Sequence, residues 1–152
     1  MAIKRLAITV FSIVFSLGAI AADTTPSESA PSWQADAQKE IKANNYDAAI
    51  KTLLAANQPN SADWNNLNGY AQRKKTPPDL AAAERYYQAA LKIDPKHRGA
   101  LEYYGELFLM KNDLAGAEQM LTRLDKICLF SCEEYRDLKE AIAKYKTKNK
   151  KL

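Results

Sequence analysis

An all-α solenoid, built of three helix pairs and a seventh, capping helix, is the fold class that this sequence predicts. Three observations predict it. Ala49, Ala83 and Ala117 stand 34 residues apart in succession, and so do Tyr46, Leu80 and Leu114, then Leu53, Tyr87 and Leu121, then Ala56, Ala90 and Leu124. Self-similarity at a fixed spacing of this length marks stacked units, each too small to bury its own apolar face. From Trp33 onward the apolar residues also recur at helical intervals, without the strict alternation of a strand. Near the end, Tyr135, Leu138, Ile142 and Tyr145 follow at spacings of three, four and three, which draws one stripe along a last helix.

Composition divides the 152 residues into segments. Residues 1–21 read as a secretory signal peptide: Lys4 and Arg5 precede an apolar run from Leu6 to Leu17, and Ala19 and Ala21 have the A-x-A spacing of a cleavage site. The run falls short of the ~20 residues that cross hydrocarbon. Loss of Lys4 and Arg5 takes the basic count from 22 to 20 against 18 acids, so the formal charge falls from +4 to +2. So small a surplus is not the clustered basic surface that nucleic acid requires. Residues 22–32 form a linker rich in Pro, Ser and Thr, too poor in apolar side chains to order itself. The repeat domain spans 33–147, with units at about 33–60, 61–97 and 98–127 and the capping helix over 132–147. In the basic tail, 148–152, Lys148, Lys150 and Lys151 continue a cluster begun by Lys144 and Lys146. That cluster suits a helix C-terminus, and it is the one place where contact with an anionic membrane surface is expected.

Taken in order, the first helices of the units are "SWQADAQKEIKAN", "ADWNNLNGYAQR" and "RGALEYYGELFLMK". Their partners are "YDAAIKTLLAA", "LAAAERYYQAALKIDP" and "LAGAEQMLTRL". Pro59, Pro77, Pro78 and Pro95 break the runs between them. Small residues at Ala37, Ala49, Ala83, Gly105 and Ala117 let paired backbones approach, while Trp33, Trp64, Tyr87, Phe108 and Leu121 fill the flanks. Asn68 departs from this scheme, standing where a small residue is expected, with Gly69 beside it. The run "RKKTPPDL" adds three residues between the helices of the second unit, and "NQPNS" is three shorter, restoring the register. Ser131 and Glu134 have the S-x-x-E spacing of a capping box at the start of the last helix.

This pattern resembles the tetratricopeptide repeat family over about residues 33–127, with Leu101, Tyr104, Gly105 and Phe108 in the large, large, small and aromatic places of the third unit. The resemblance implies a protein-binding module whose first helices line a concave groove for an extended peptide or a partner helix. That groove would present Gln34, Gln38, Ile41, Asn65, Gln72, Arg73, Glu102, Glu106, Leu109 and Met110. Amides there can pair with a peptide backbone, and Leu109 with Met110 offers an adaptable apolar patch. The carboxylate clamp of chaperone-binding relatives is missing: Gln34, Gly99 and Tyr103 stand where basic residues would be, and Asn66 alone matches. The tail "LDKICLFSCEEYRDLKEAIAKY" is similar to that of small exported tetratricopeptide proteins of Gram-negative bacteria, which implies a periplasmic location and a partner in the cell envelope.

Cys128 and Cys132 are the two cysteines of the chain. An exported protein meets an oxidising compartment, where a close pair of thiols between two helices tends to be bridged, so a structural disulfide is expected to pin the last helix to the last repeat. Two alternatives stay open. Cys132 at a helix N-terminus would have a stabilised thiolate, which suits a thiol-redox accessory protein, although C-x-x-x-C is not the C-x-x-C of thioredoxin-like enzymes. A soft Cu(I) site using both sulfurs and Met120 is the metal-handling version.

Catalysis has no constellation to stand on. The sole histidine, His97, lies in a turn, and there is neither a G-x-S-x-G nor an H-E-x-x-H motif nor a glycine-rich phosphate loop. Glu102 and Glu106, one helical turn apart, read as a solvated charged face rather than an acid/base pair. No enzyme activity, cofactor or resident metal is expected, and the chain should be a monomer or weakly self-associating through end-to-end stacking.

Overall fold

The computed structural model describes residues 32–149; the leader expected at 1–21, the expected linker apart from Ser32, which opens α1, and the tail beyond residue 149 lie outside the described residues. Seven helices and no strand make up this part: α1 (Ser32–Lys42), α2 (Tyr46–Ala56), α3 (Ala62–Lys74), α4 (Leu80–Ile93), α5 (Arg98–Met110), α6 (Leu114–Ile127) and α7 (Glu133–Asn149).

The 34-residue period reaches into the helix caps. Asn45, Asp79 and Asp113 are the N-caps of α2, α4 and α6. The carboxylates of Asp79 and Asp113 each accept a hydrogen bond at 2.8 Å, from the Ala82 and Gly116 N–H groups. A cap of this kind contributes about 1 kcal/mol by answering an N–H that the first turn leaves unpaired. Just before these caps, Asn44 and Asn112 turn the chain with φ of 60° and 61°, a left-handed conformation that asparagine tolerates better than most side chains. The middle pair departs from this, because its longer turn carries Pro77 and Pro78 in place of the asparagine.

Each helix packs on the next, and α1 also touches α3, α3 touches α5, and α5 touches α7; α2, α4 and α6 do not touch one another. Helices in contact along one row and apart along the other make a curved array, so α1, α3, α5 and α7 form the inner wall and α2, α4 and α6 the outer one. Ala37, Leu53 and Trp64 bury the first interface, where the Trp64 indole N–H donates to the Leu53 carbonyl at 2.6 Å. A larger core runs from Ala83, Tyr87 and Leu101 through Leu107, Ala117 and Leu124 to Leu138 and Ile142.

Close approach happens at particular glycines. A Cβ on Gly69 would lie 2.6 Å from the Tyr87 ring, so it is Gly69 that opens the second pair, while Asn68 is buried with its Nδ2 donating to the Trp64 carbonyl at 2.9 Å. Gly105 serves a different neighbour from the one its position suggests: a Cβ there would meet Leu138 of α7 at 2.5 Å. Within the third pair the small residue is Gly116, where a Cβ would meet Phe108 at 2.7 Å. Leu138 is fully buried, and α7 therefore belongs to the core rather than resting on it.

The start of α7 corrects one expectation. Cys132, not Ser131, stands at the N-cap, its carbonyl accepting from the Arg136 N–H at 3.2 Å. Ser131 instead takes φ 53° inside the tight cysteine loop, which displaces the S-x-x-E pair by one position, so no capping box forms. Replacing Leu138 with alanine removes the side chain that fills the Gly105 notch. Leu138→Ala is expected to cost about 2–5 kcal/mol in urea denaturation monitored by circular dichroism.

Candidate binding groove

Two tyrosines mark the inner wall. The rings of Tyr70 on α3 and Tyr103 on α5 lie 4.8 Å apart, and Tyr46 on α2 extends the row at 6.4 Å from Tyr70. The Arg73 guanidinium sits 5.5 Å and 5.6 Å from the Tyr70 and Tyr103 ring centres. It also pairs with Glu106 at 2.6 Å, and its Nε–H donates to the Tyr87 hydroxyl at 3.3 Å. Arg73 is buried, and it ties α3, α4 and α5 together at one point. A planar, delocalised cation is the side chain that can stack on rings and bridge a carboxylate at once, which lysine cannot do.

Two hollows along this wall meet at Tyr103. The first, about 340 Å³, lies between α1, α3 and α5 against Gln38, Ile41, Lys42, Leu67, Tyr70 and Tyr103. The second, about 220 Å³, lies between α3, α5 and α7, where Asn66, Tyr103 and Gly99 meet the carboxyls of Glu102, Glu133, Glu134 and Asp137. Burial, and then the neighbouring charges of Glu106, Asp137 and Glu134, push the Glu102 carboxyl up to about 8. Attraction from Arg73 works the other way and is weaker than each of these.

The expected groove residues do not all share one surface. Gln38 is exposed and lines the first hollow, with Ile41 half-buried beside it, and Gln34 is half-buried one turn earlier. Asn65 is buried, and its Nδ2 donates to the Pro59 and Ser61 carbonyls at 2.8 Å each, so its amide closes the preceding turn. Gln72 is half-buried, with its Oε1 lacking a hydrogen-bond partner among the described residues. Arg73 and Glu106 answer each other. Leu109 packs partly against the larger core, whereas Met110 is exposed. Glu102 is buried in the wall of the second hollow, not on a solvated face.

Sequence reasoning passed over Leu67, Tyr70, Tyr103, Glu134 and Asp137 as groove residues. Treating the last helix purely as a lid hid the two acids, because α7 lies on α5 as a further first helix would and turns Glu134 and Asp137 toward the same wall. The 33-residue interval between Tyr70 and Tyr103 was the available signal for the aromatic pair.

Cys128, the C-cap of α6, and Cys132 form a disulfide with their Cα atoms 5.5 Å apart. The loop it closes presents Leu129 and Phe130 almost wholly to solvent. Among the described residues, no group of three or more His, Cys, Asp and Glu side chains could hold a metal ion, and no helix is long and apolar enough to cross a membrane.

Three outcomes follow from this geometry. Reduction of Cys128–Cys132, or its replacement by serines, is expected to lower stability by about 2 kcal/mol, because the closed loop is short. Arg73→Met leaves Glu106 and the Tyr87 hydroxyl without their partner and should cost about 2–4 kcal/mol in the same denaturation assay. Glu102 holds its proton more tightly folded than unfolded, so the native chain binds more protons than the unfolded one between the ordinary carboxylate range and about pH 8. Stability contributed at Glu102 therefore falls as pH rises through that window, and Glu102→Gln should flatten the decline in a series of melts from pH 5 to 9.

Residues 79–142, from the N-cap of α4 into α7, match the family model for the tetratricopeptide repeat. No curated protein matches the chain. The matched stretch includes most of α7, in keeping with the way that helix packs on α5. With its helix pairs stacked at a 34-residue period and that match across the last four helices, the described part of the chain has the fold of a tetratricopeptide repeat protein, an architecture that suggests a protein–protein interaction module.

Proposed function

We propose that the protein is an exported adaptor that holds one segment of a cell-envelope protein along the inner wall of α1, α3, α5 and α7. The observation that carries this reading is the pair of hollows meeting at Tyr103, with the close, mutually tilted Tyr70 and Tyr103 rings as a floor. Aromatic rings supply large contact area at low entropy cost, and the Gln38 amide offers a peptide backbone its hydrogen bonds. Arg73 supports this floor from below rather than reaching for the partner. The leader sequence and the Cys128–Cys132 bridge favour the periplasm as the place of action. The Lys-rich end of α7 is the part suited to an anionic surface, and the adaptor works as a monomer or a weakly self-associating chain without cofactor, nucleic acid or catalytic step.

Photocrosslinking in intact cells tests the reading. A benzophenone side chain at Gln38, on the inner wall, should give a discrete adduct with one envelope protein, whereas the same group at the exposed Arg85 of α4 should not. Adducts of equal yield from both positions, or from neither, would contradict it. The mature protein should begin at Ala22 when its mass is measured in the periplasmic fraction.

A further inference from the structure

The hollow between α3, α5 and α7 has more negative charge than the fold uses. Glu102, Glu133, Glu134 and Asp137 all line it, and the neighbouring cations are engaged: Arg73 by Glu106 at 2.6 Å, and Arg98 by Glu134 at 3.6 Å. A second observation is independent of the acids. Asn66, on the opposite wall, is more than nine-tenths buried, and its Oδ1 accepts no hydrogen bond among the described residues. The Asn66 amide thus lines the hollow with its oxygen unanswered by the fold, and a buried amide oxygen without a donor costs free energy until a donor is brought to it. Tyr103 completes the wall.

We propose that this hollow is a socket for one basic side chain, arginine or lysine, carried by the protein segment that the groove binds; the inference deepens the adaptor reading and rests on it. A metal ion fits less well, since the side chains are not gathered as three or more ligands around one point. A volume of about 220 Å³ accommodates a guanidinium or ammonium head with its last methylenes. A guanidinium meets the site best, because its fork of N–H donors can answer Glu102 and Asp137 together, and a turn of the Asn66 amide would present its oxygen as well. Lys42 at the far end of the first hollow repels a second basic residue there. The bound segment is thereby oriented, with its basic residue toward α7.

Binding of a cation is linked to a proton. Facing Glu102 are Asn66, Tyr70 and Arg73 from α3, Tyr103 and Glu106 from its own helix, and Glu133, Glu134 and Asp137 from α7. An arriving guanidinium stabilises the Glu102 carboxylate, so its proton leaves to solvent as the ion pair forms. Affinity therefore rises with pH up to about 8 and levels off above it.

The test is an NMR titration of the full processed chain with the peptide acetyl-Ala-Ala-Ala-Arg-Ala-Ala-Ala-amide and with its citrulline counterpart, which has the same shape and no charge. The arginine peptide should shift the amides of Gly99 and Glu102 and bind at least about tenfold more tightly than the citrulline peptide, with affinity rising about tenfold between pH 6.5 and 8.5. Glu102→Gln should abolish that pH dependence, and Asp137→Asn, at an exposed position, should weaken the arginine peptide several-fold. Glu118→Gln on the outer wall should change neither. Equal binding of the two peptides, no shift with either, or an unaltered pH dependence in Glu102→Gln would overturn the socket. Adducts from the Gln38 photocrosslinker would in that case still uphold the groove, so the two readings fail separately.

Discussion

Each helix pair in this protein has an apolar side that only the next pair can cover, and the packing of α7 on α5 is where that requirement is finally met. Leu138 fills a notch that exists because residue 105 has no side chain, and Ile142 follows it into the same core. Burying two aliphatic side chains of this size contributes roughly 3–6 kcal/mol, a large share of the stability of a domain this small. The disulfide adds to that by fixing the entry of α7, but at a loop of four residues' separation its share is the lesser one. Without the final helix, the faces of α5 and α6 that carry Leu101, Leu107 and Leu124 would stand open, and the array would have no end.

The same packing that closes the core also builds the polar end of the groove. When α7 seats Leu138 against α5, its next face brings Glu134 and Asp137 up to Glu102, a carboxyl some thirty residues away in sequence. Folding thus concentrates like charge at one place, and Glu102 responds by holding its proton. Arg73 resolves the corresponding problem one turn away, where Glu106 has its cation and two tyrosine rings shelter the pair. The contrast between a satisfied acid and an unsatisfied one, four residues apart on one helix, separates the structural part of the wall from the part open to a partner.

The architecture was legible because it rests on repetition. Ala49, Ala83 and Ala117 are all fully buried, and the caps at Asn45, Asp79 and Asp113 repeat the same interval. What the spacing could not show was which neighbour a small residue serves: Gly105 admits α7, and Gly116 takes the role within its own pair. The groove was read less well, for a related reason. A residue on a first helix faces inward, sideward or back toward its own turn according to a rotation of about 100° per residue, finer than a repeat period resolves. That is why Asn65 closes a turn while Asn66 next to it lines the acidic hollow. Ser131 failed as a cap for a local reason, since the cysteine loop holds it in the left-handed region.

Native-state hydrogen exchange on the processed chain tests this account most directly, because it reports whether α7 is a working part of the core. The amides of α7 around Leu138 and Ile142 should exchange together with those of α5, at a free energy close to that of global unfolding. Exchange of α7 as a frayed tail, while α5 stays protected, would contradict the claim that the last helix completes the array.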